Sequence, residues 1–148
     1  MPDPGALYQE LILGHSKNPR NFGPLAGATH QAQRENPFCG DEITVALVLV
    51  GERISAIRFH GAGCTIAMAS SSMMTDELAG KTRAQAAALA RNFFRLVSGH
   101  SGEGALGPLD AFAAVARFPV RVQCARLPWR ALLAALGEES AAPEEHEP

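Results

Sequence analysis

The sequence predicts an α+β fold: a small antiparallel sheet of about three strands, packed with helices on one side. Two observations lead there. Alternating apolar residues over Asp41–Val50 are followed, across the turn pair Gly51-Glu52, by a second strand-like run over 53–60. From Cys64 onward the apolar spacing lengthens to that of helices, and strands followed by helices indicate α+β architecture.

Each element has its own signal. Asp3-Pro4 opens a first helix, an N-cap side chain followed by proline at the first helical position, and Leu7, Tyr8, Leu11, Ile12 and His15 form its stripe. Residues 16–36 read as irregular, with Asn18-Pro19-Arg20-Asn21-Phe22-Gly23-Pro24 at their centre and a short strand within 29–34. Ile43, Val45, Leu47 and Leu49 share one face of the next strand, and Gly61 and Gly63 are expected to end the strand after it. A helix over Thr65–Leu78 carries Ile66, Met73, Met74 and Leu78 and stops at Gly80. Thr82 and Gln85 make a capping-box pattern for a helix with the stripe Ala86, Leu89, Phe93, Leu96 and Val97, ended by Gly99. A Gly-rich loop over 100–107 leads to a short helix over 108–116. Residues 118–123 then read as extended, and Pro128 as the start of a last helix with Trp129, Leu132, Leu133 and Leu136.

Composition bounds the function. Apolar residues are 47% and charged residues 19% of 148, enough to build one core and too apolar for a wholly disordered chain. One domain is expected over 1–137, followed by an acidic, disordered tail over 138–148 that holds five glutamates and no Lys or Arg. Outside that tail thirteen basic residues face ten acidic ones, a formal +3, too little for a nucleic-acid surface. The longest apolar run, residues 45–50, is too short to span a bilayer. Met1 to Gly5 show no basic start followed by an apolar stretch, so a cytoplasmic protein with reduced thiols is expected, without nucleic-acid or membrane partners.

The chemistry concentrates on three cysteines, each expected at the boundary of an element. Cys39 lies in Asn36-Pro37-Phe38-Cys39-Gly40-Asp41, Cys64 follows Gly61-Ala62-Gly63, and Cys124 precedes the final helix. Free cysteines often serve as small buried hydrophobes. Three at expected element ends, two of them beside a glycine, point instead to a convergent site. Asp41 is two residues from Cys39, and in an extended stretch both face one side. With Cys64 and Cys124 they can form a site of three sulfurs and one oxygen, a set that zinc accepts. Spacing alone leaves Asp41 open between that role and an acid paired with an arginine. Gaps of 24 and 59 residues between the cysteines match no zinc-finger pattern. A thiol at a helix N-terminus, as expected for Cys64, faces unpaired N–H groups and the positive dipole end, the setting that favours thiolate. His60 reads as a strand residue facing solvent; His15 and His100 read as surface or packing residues. No Cys-His signature of a cysteine hydrolase flanks any cysteine.

The three cysteine segments, with Phe59-His60-Gly61-Ala62-Gly63-Cys64-Thr65-Ile66-Ala67-Met68-Ala69-Ser70 and Pro119-Val120-Arg121-Val122-Gln123-Cys124 as the second and third, resemble the IscU/NifU N-terminal family of iron–sulfur cluster assembly proteins. Asn18-Pro19-Arg20-Asn21 is similar to that family as well, and the likeness runs from about Tyr8 to Leu136. Gln123, where IscU-type scaffolds carry His, and the long stretch over 81–123 resemble the SufU branch. Phe118-Pro119-Val120-Arg121-Val122 departs from the chaperone-binding motif of IscU. The resemblance implies a zinc site formed by Cys39, Asp41, Cys64 and Cys124, with Cys39 accepting persulfide sulfur and Arg121 assisting beside it. The implied partners are a SufS-like cysteine desulfurase, other Suf components and apo-proteins. The protein would then be a zinc-dependent, sulfurtransferase-like acceptor instead of a stand-alone enzyme. The alternative is a scaffold that builds a transient [2Fe-2S] cluster on Cys39, Cys64 and Cys124 and passes it to apo-proteins.

Overall fold

The computed structural model describes residues 4–37, 39–100 and 106–139, with side chains from residue 9 onward. The expected N-cap Asp3, the side chains of Leu7 and Tyr8, Phe38, most of the Gly-rich loop and the tail beyond Glu139 lie outside the described residues. The chain runs α1 (Pro4–Lys17), β1 (His30–Asn36), β2 (Asp41–Val50), β3 (Arg53–Ala62), α2 (Thr65–Leu78), α3 (Arg83–Val97), a 3-10 segment (Gly107–Arg117) and α4 (Pro119–Leu136). The fold is α+β, with one antiparallel sheet in the order β1-β2-β3.

The sheet's inner face carries Ile43, Val45 and Leu47 of β2 with Ile54, Ile57 and Phe59 of β3, all buried. On its other face Gln31, Gln33, Glu35 and Glu42 are exposed, while Thr44 and Ala46 of the central strand are buried on that side too. α4 lies across β1 and β2, and α2 packs against β3 and α4. Phe93 of α3 stacks on Trp129 of α4 at 4.7 Å between ring centroids and meets Phe112 edge-on at 5.5 Å.

β2 and α2 begin and end where the sequence predicts. The capping box is present too: Gln85 N–H donates to Thr82 Oγ1 at 3.1 Å, and Thr82 N–H donates to Gln85 Oε1 at 2.9 Å. The expected short helix near 108–116 is the 3-10 segment.

Two expectations are corrected. β3 does not stop at His60 but continues through Ala62, because Gly61 (φ +138) lets the strands approach. A Cβ at Gly61 would stand 2.2 Å from the Glu42 carbonyl oxygen. Residues 118–123 are not extended, and Pro128 does not open the last helix. α4 already begins at Pro119, and Pro128 lies inside it. Proline at the first helical position forfeits only an N–H that would have no helical partner anyway. Burial of Val122, Cys124, Ala125 and Leu127 then outweighs the β-branched look of the segment.

Ahead of the sheet, the Asn18–Gly23 stretch is stitched to α2 and β3. Arg20 N–H donates to Ser72 Oγ at 2.8 Å, Asn21 Nδ2 to Thr75 Oγ1 at 3.1 Å, and Phe59 N–H to the Asn21 carbonyl at 3.0 Å. Asn21 adopts φ 60, a left-handed conformation that asparagine tolerates.

Candidate metal centre

The turn between β1 and β2 builds half of the site. Asn36, the last residue of β1, pairs with Asp41, the first of β2. The Asn36 carbonyl accepts the N–H groups of Cys39 at 3.2 Å and Gly40 at 2.8 Å. Gly40 turns the chain with φ +75. Cys39 is therefore held in an exposed turn, while Asp41 is drawn into the strand at 6% exposure.

The two remaining cysteines come from helices. Cys64 is the N-cap of α2 in extended conformation, and its side chain makes no cap hydrogen bond. It is half-buried. Gly63 before it leaves room for Asp41, since a Cβ there would stand 3.5 Å from Asp41 Cγ and 3.0 Å from Ala67 Cβ. Cys124 lies in the second turn of α4, buried, with Sγ 3.7 Å from the Val120 carbonyl one turn back.

Cys39 Sγ and Cys124 Sγ are 3.5 Å apart across 85 residues of chain. Donor atoms of Cys39, Asp41 and Cys124 all lie within 4.8 Å of one another, and this group contains no histidine. Cys64 is not in this group, but it is near enough to Cys124 to help raise that thiol's pKa. The Cys124 thiol is pushed far above its ordinary range, by burial first and then by its contacts with Cys64 and Cys39.

Two observations test whether a cation fits. Asp41 Oδ2 is buried and has no hydrogen-bond partner, a costly state for a carboxylate oxygen. Tetrahedral bonding at about 2.3 Å sets two zinc-bound sulfurs about 3.8 Å apart, close to the 3.5 Å here. A divalent ion between these groups would neutralise the crowded thiolates and satisfy the orphaned oxygen. Zinc fits the donor set.

Arg121 and His60 are the other residues that the sequence singles out. Arg121 is exposed, and its side chain makes no hydrogen bond or ion pair among the described residues. It lines a cleft of about 610 Å³ with Ile12, Leu13, Ile66, Val115 and Phe118. His60 pairs with Thr44 and by alternation lies on the sheet's outer face, away from Phe59. Asn36 is a participant that the sequence did not single out. Its side-chain amide donates to Cys39 Sγ at 3.4 Å and to Cys124 Sγ at 3.7 Å. The only sequence signal for it is its place three residues before a cysteine, in a turn-forming Asn-Pro pair.

Fold and site together define a small α+β protein that gathers thiols and one carboxylate at the end of a three-stranded sheet. Residues 7–140 match the family model of the NifU-like N terminal domain, and the chain belongs to that family. It is 42% identical over 132 residues to the iron-sulfur cluster assembly scaffold protein IscU of Streptococcus pyogenes serotype M1, covering 88% of this chain and 82% of the relative. It is 37% identical over 135 residues to the zinc-dependent sulfurtransferase SufU of Bacillus subtilis (strain 168), covering 90% and 91%. A crystal structure of an iron-sulfur cluster assembly scaffold protein for the SUF system from Fervidobacterium islandicum AW-1 superposes with a TM-score of 0.82 at 33% identity, covering 90% of this chain and 99% of that one. Among the described residues no helix is long and apolar enough to cross a membrane.

Proposed function

We propose that this protein serves iron–sulfur cluster assembly as a zinc-bound sulfur acceptor, taking persulfide sulfur from a cysteine desulfurase on Cys39. The observation that carries the reading is the unequal exposure of two sulfurs only 3.5 Å apart: Cys39 is exposed and Cys124 is buried. A partner's persulfide can reach the first and not the second. The likeness to a protein named zinc-dependent sulfurtransferase supports it.

Cys39, Asp41, Cys64 and Cys124 would hold the zinc, which when bound supplies positive charge that keeps the thiols deprotonated. The transfer itself is an exchange between sulfurs. The Cys39 thiolate attacks the outer sulfur of the desulfurase persulfide, a new S–S bond forms on Cys39, and the old S–S bond breaks. Its electron pair leaves with the desulfurase cysteine as thiolate, so no external oxidant or reductant is consumed. Asp41, Cys64 and Cys124 stay in place because each belongs to a regular element or its cap. Arg121, one helical turn before Cys124, would assist from the rim by attracting the partner's acidic groups.

The test is persulfide labelling after incubation with a cysteine desulfurase and cysteine. Wild-type protein should carry sulfur on Cys39, and Cys39→Ser should carry none; full loading of that variant removes Cys39 from the acceptor role. The second reading, a scaffold for a [2Fe-2S] cluster as cargo, is favoured by the likeness to a relative named IscU. Metal analysis of protein purified without oxygen separates the two. About one zinc per chain and no colour supports sulfur transfer, whereas iron with matching sulfide supports the scaffold.

A further inference from the structure

Asn36 is 1% exposed, and its side chain lies beside both sulfurs of the cluster. A carboxamide nitrogen carries two hydrogens, and at 3.4 Å and 3.7 Å from Cys39 Sγ and Cys124 Sγ it can direct one to each. The backbone does separate work, since the turn is closed by the Asn36 carbonyl, which any residue would supply. The side chain's N–H groups face both thiols.

We infer that Asn36 is a positioning residue for the sulfur cluster, clamping Cys39 to Cys124 and weakening both as electron donors. This rests on the metal-centre reading above. A hydrogen bond to a thiolate draws charge from sulfur and is stronger than one to a thiol. It fixes where the lone pairs point, as partners outside a metal's own ligands generally do. It also ties the exposed sulfur to a fixed one. Cys39 is carried on a turn and Cys124 on a helix, and Asn36 bridges them from the end of β1. When Cys39 leaves the cluster, the amide can stay on Cys124, so the buried sulfur keeps a donor throughout.

The experiment uses cobalt(II) as a spectroscopic probe and zinc in competition with a chromophoric chelator. Asn36→Asp keeps the side chain's shape but replaces the donor with an acceptor; Asn36→Ala removes both. Both variants should bind zinc about 10- to 100-fold more weakly. Their sulfur-to-cobalt charge-transfer band should move to lower energy, because sulfur that has lost a hydrogen bond gives up electrons more easily. A merely structural role would change thermal melting of the metal-free protein and leave that band where it is. Wild-type zinc affinity with an unmoved band in either folded variant overturns the inference. A wild-type protein with no sulfur-to-cobalt band overturns the metal-centre reading and Asn36's role with it.

Discussion

Trp129 Nε1 donates to Ser70 Oγ at 3.1 Å, deep between α4 and α2. The Ser70 hydroxyl in turn donates to the Ala125 carbonyl at 2.7 Å. Cys64 is the N-cap of the helix that carries Ser70, and Cys124 is the neighbour of Ala125 in the helix that carries Trp129. One serine thus ties together the two helices that carry these cysteines. It does so where α4 is weakest, since Pro128 has no N–H to offer the Cys124 carbonyl.

Removing that hydroxyl is expected to be costly for its size. Ser70→Ala leaves a buried indole N–H without a partner, a loss of about 1–3 kcal/mol. Urea unfolding of the metal-free protein checks this, and a change under about 0.5 kcal/mol, as at an ordinary surface site, would contradict it.

His15 makes stability depend on pH. Its Nδ1 lies 2.7 Å from Ser72 Oγ, which already accepts the Arg20 N–H at 2.8 Å. The hydroxyl proton is then best directed to His15, which requires a neutral imidazole. Burial lowers the His15 pKa from its ordinary 6.5, the Arg20 charge lowers it further, and Asp76 opposes both. The unfolded chain therefore binds the proton at a higher pH than the folded one. His15's contribution is fully present above pH 6.5 and is lost as pH falls from there through the depressed folded value. Comparing urea midpoints at pH 7.5 and below 6, wild type should lose more stability than His15→Gln. Equal losses would assign the acid sensitivity to other groups.

The sequence made some of this legible and hid the rest for physical reasons. β2 could be bounded because Ile43, Val45 and Leu47 alternate up to the Gly51 turn. α3 could be bounded because Thr82 and Gln85 satisfy the first N–H groups locally. Both are short-range effects. The start of α4 was hidden because Val120 and Val122 individually disfavour helix, and packing of the helix against β1 and β2 reverses that. The cysteines' convergence was suggested by expected boundary positions, which hold for Cys39 and Cys64 but not for Cys124, which lies inside α4; the contact of Cys39 with Cys124 joins turn to helix across 85 residues, which no local pattern encodes. Asn36 was hidden in part for the same reason, as one of its two partners, Cys124, lies 88 residues away.

Asp41 gives the sharpest test of the metal centre, because its two states predict opposite signs. In the metal-free protein its Oδ2 is buried and unpartnered, so Asp41→Ala removes a desolvated charge along with a small side chain. Its melting temperature should hold or rise. With zinc the same oxygen becomes a ligand. Outer-shell changes around metal ligands cost about 10- to 100-fold in affinity, so loss of a ligand should cost at least as much. Thermal melts with and without excess zinc measure both quantities on one sample, since binding to the folded state alone raises its stability in proportion to the logarithm of zinc over Kd. Wild type should gain strongly on adding zinc, and Asp41→Ala should start level or higher and gain less. A variant that melts lower without zinc and gains as much with it would make Asp41 a structural acid and leave the centre to the three cysteines.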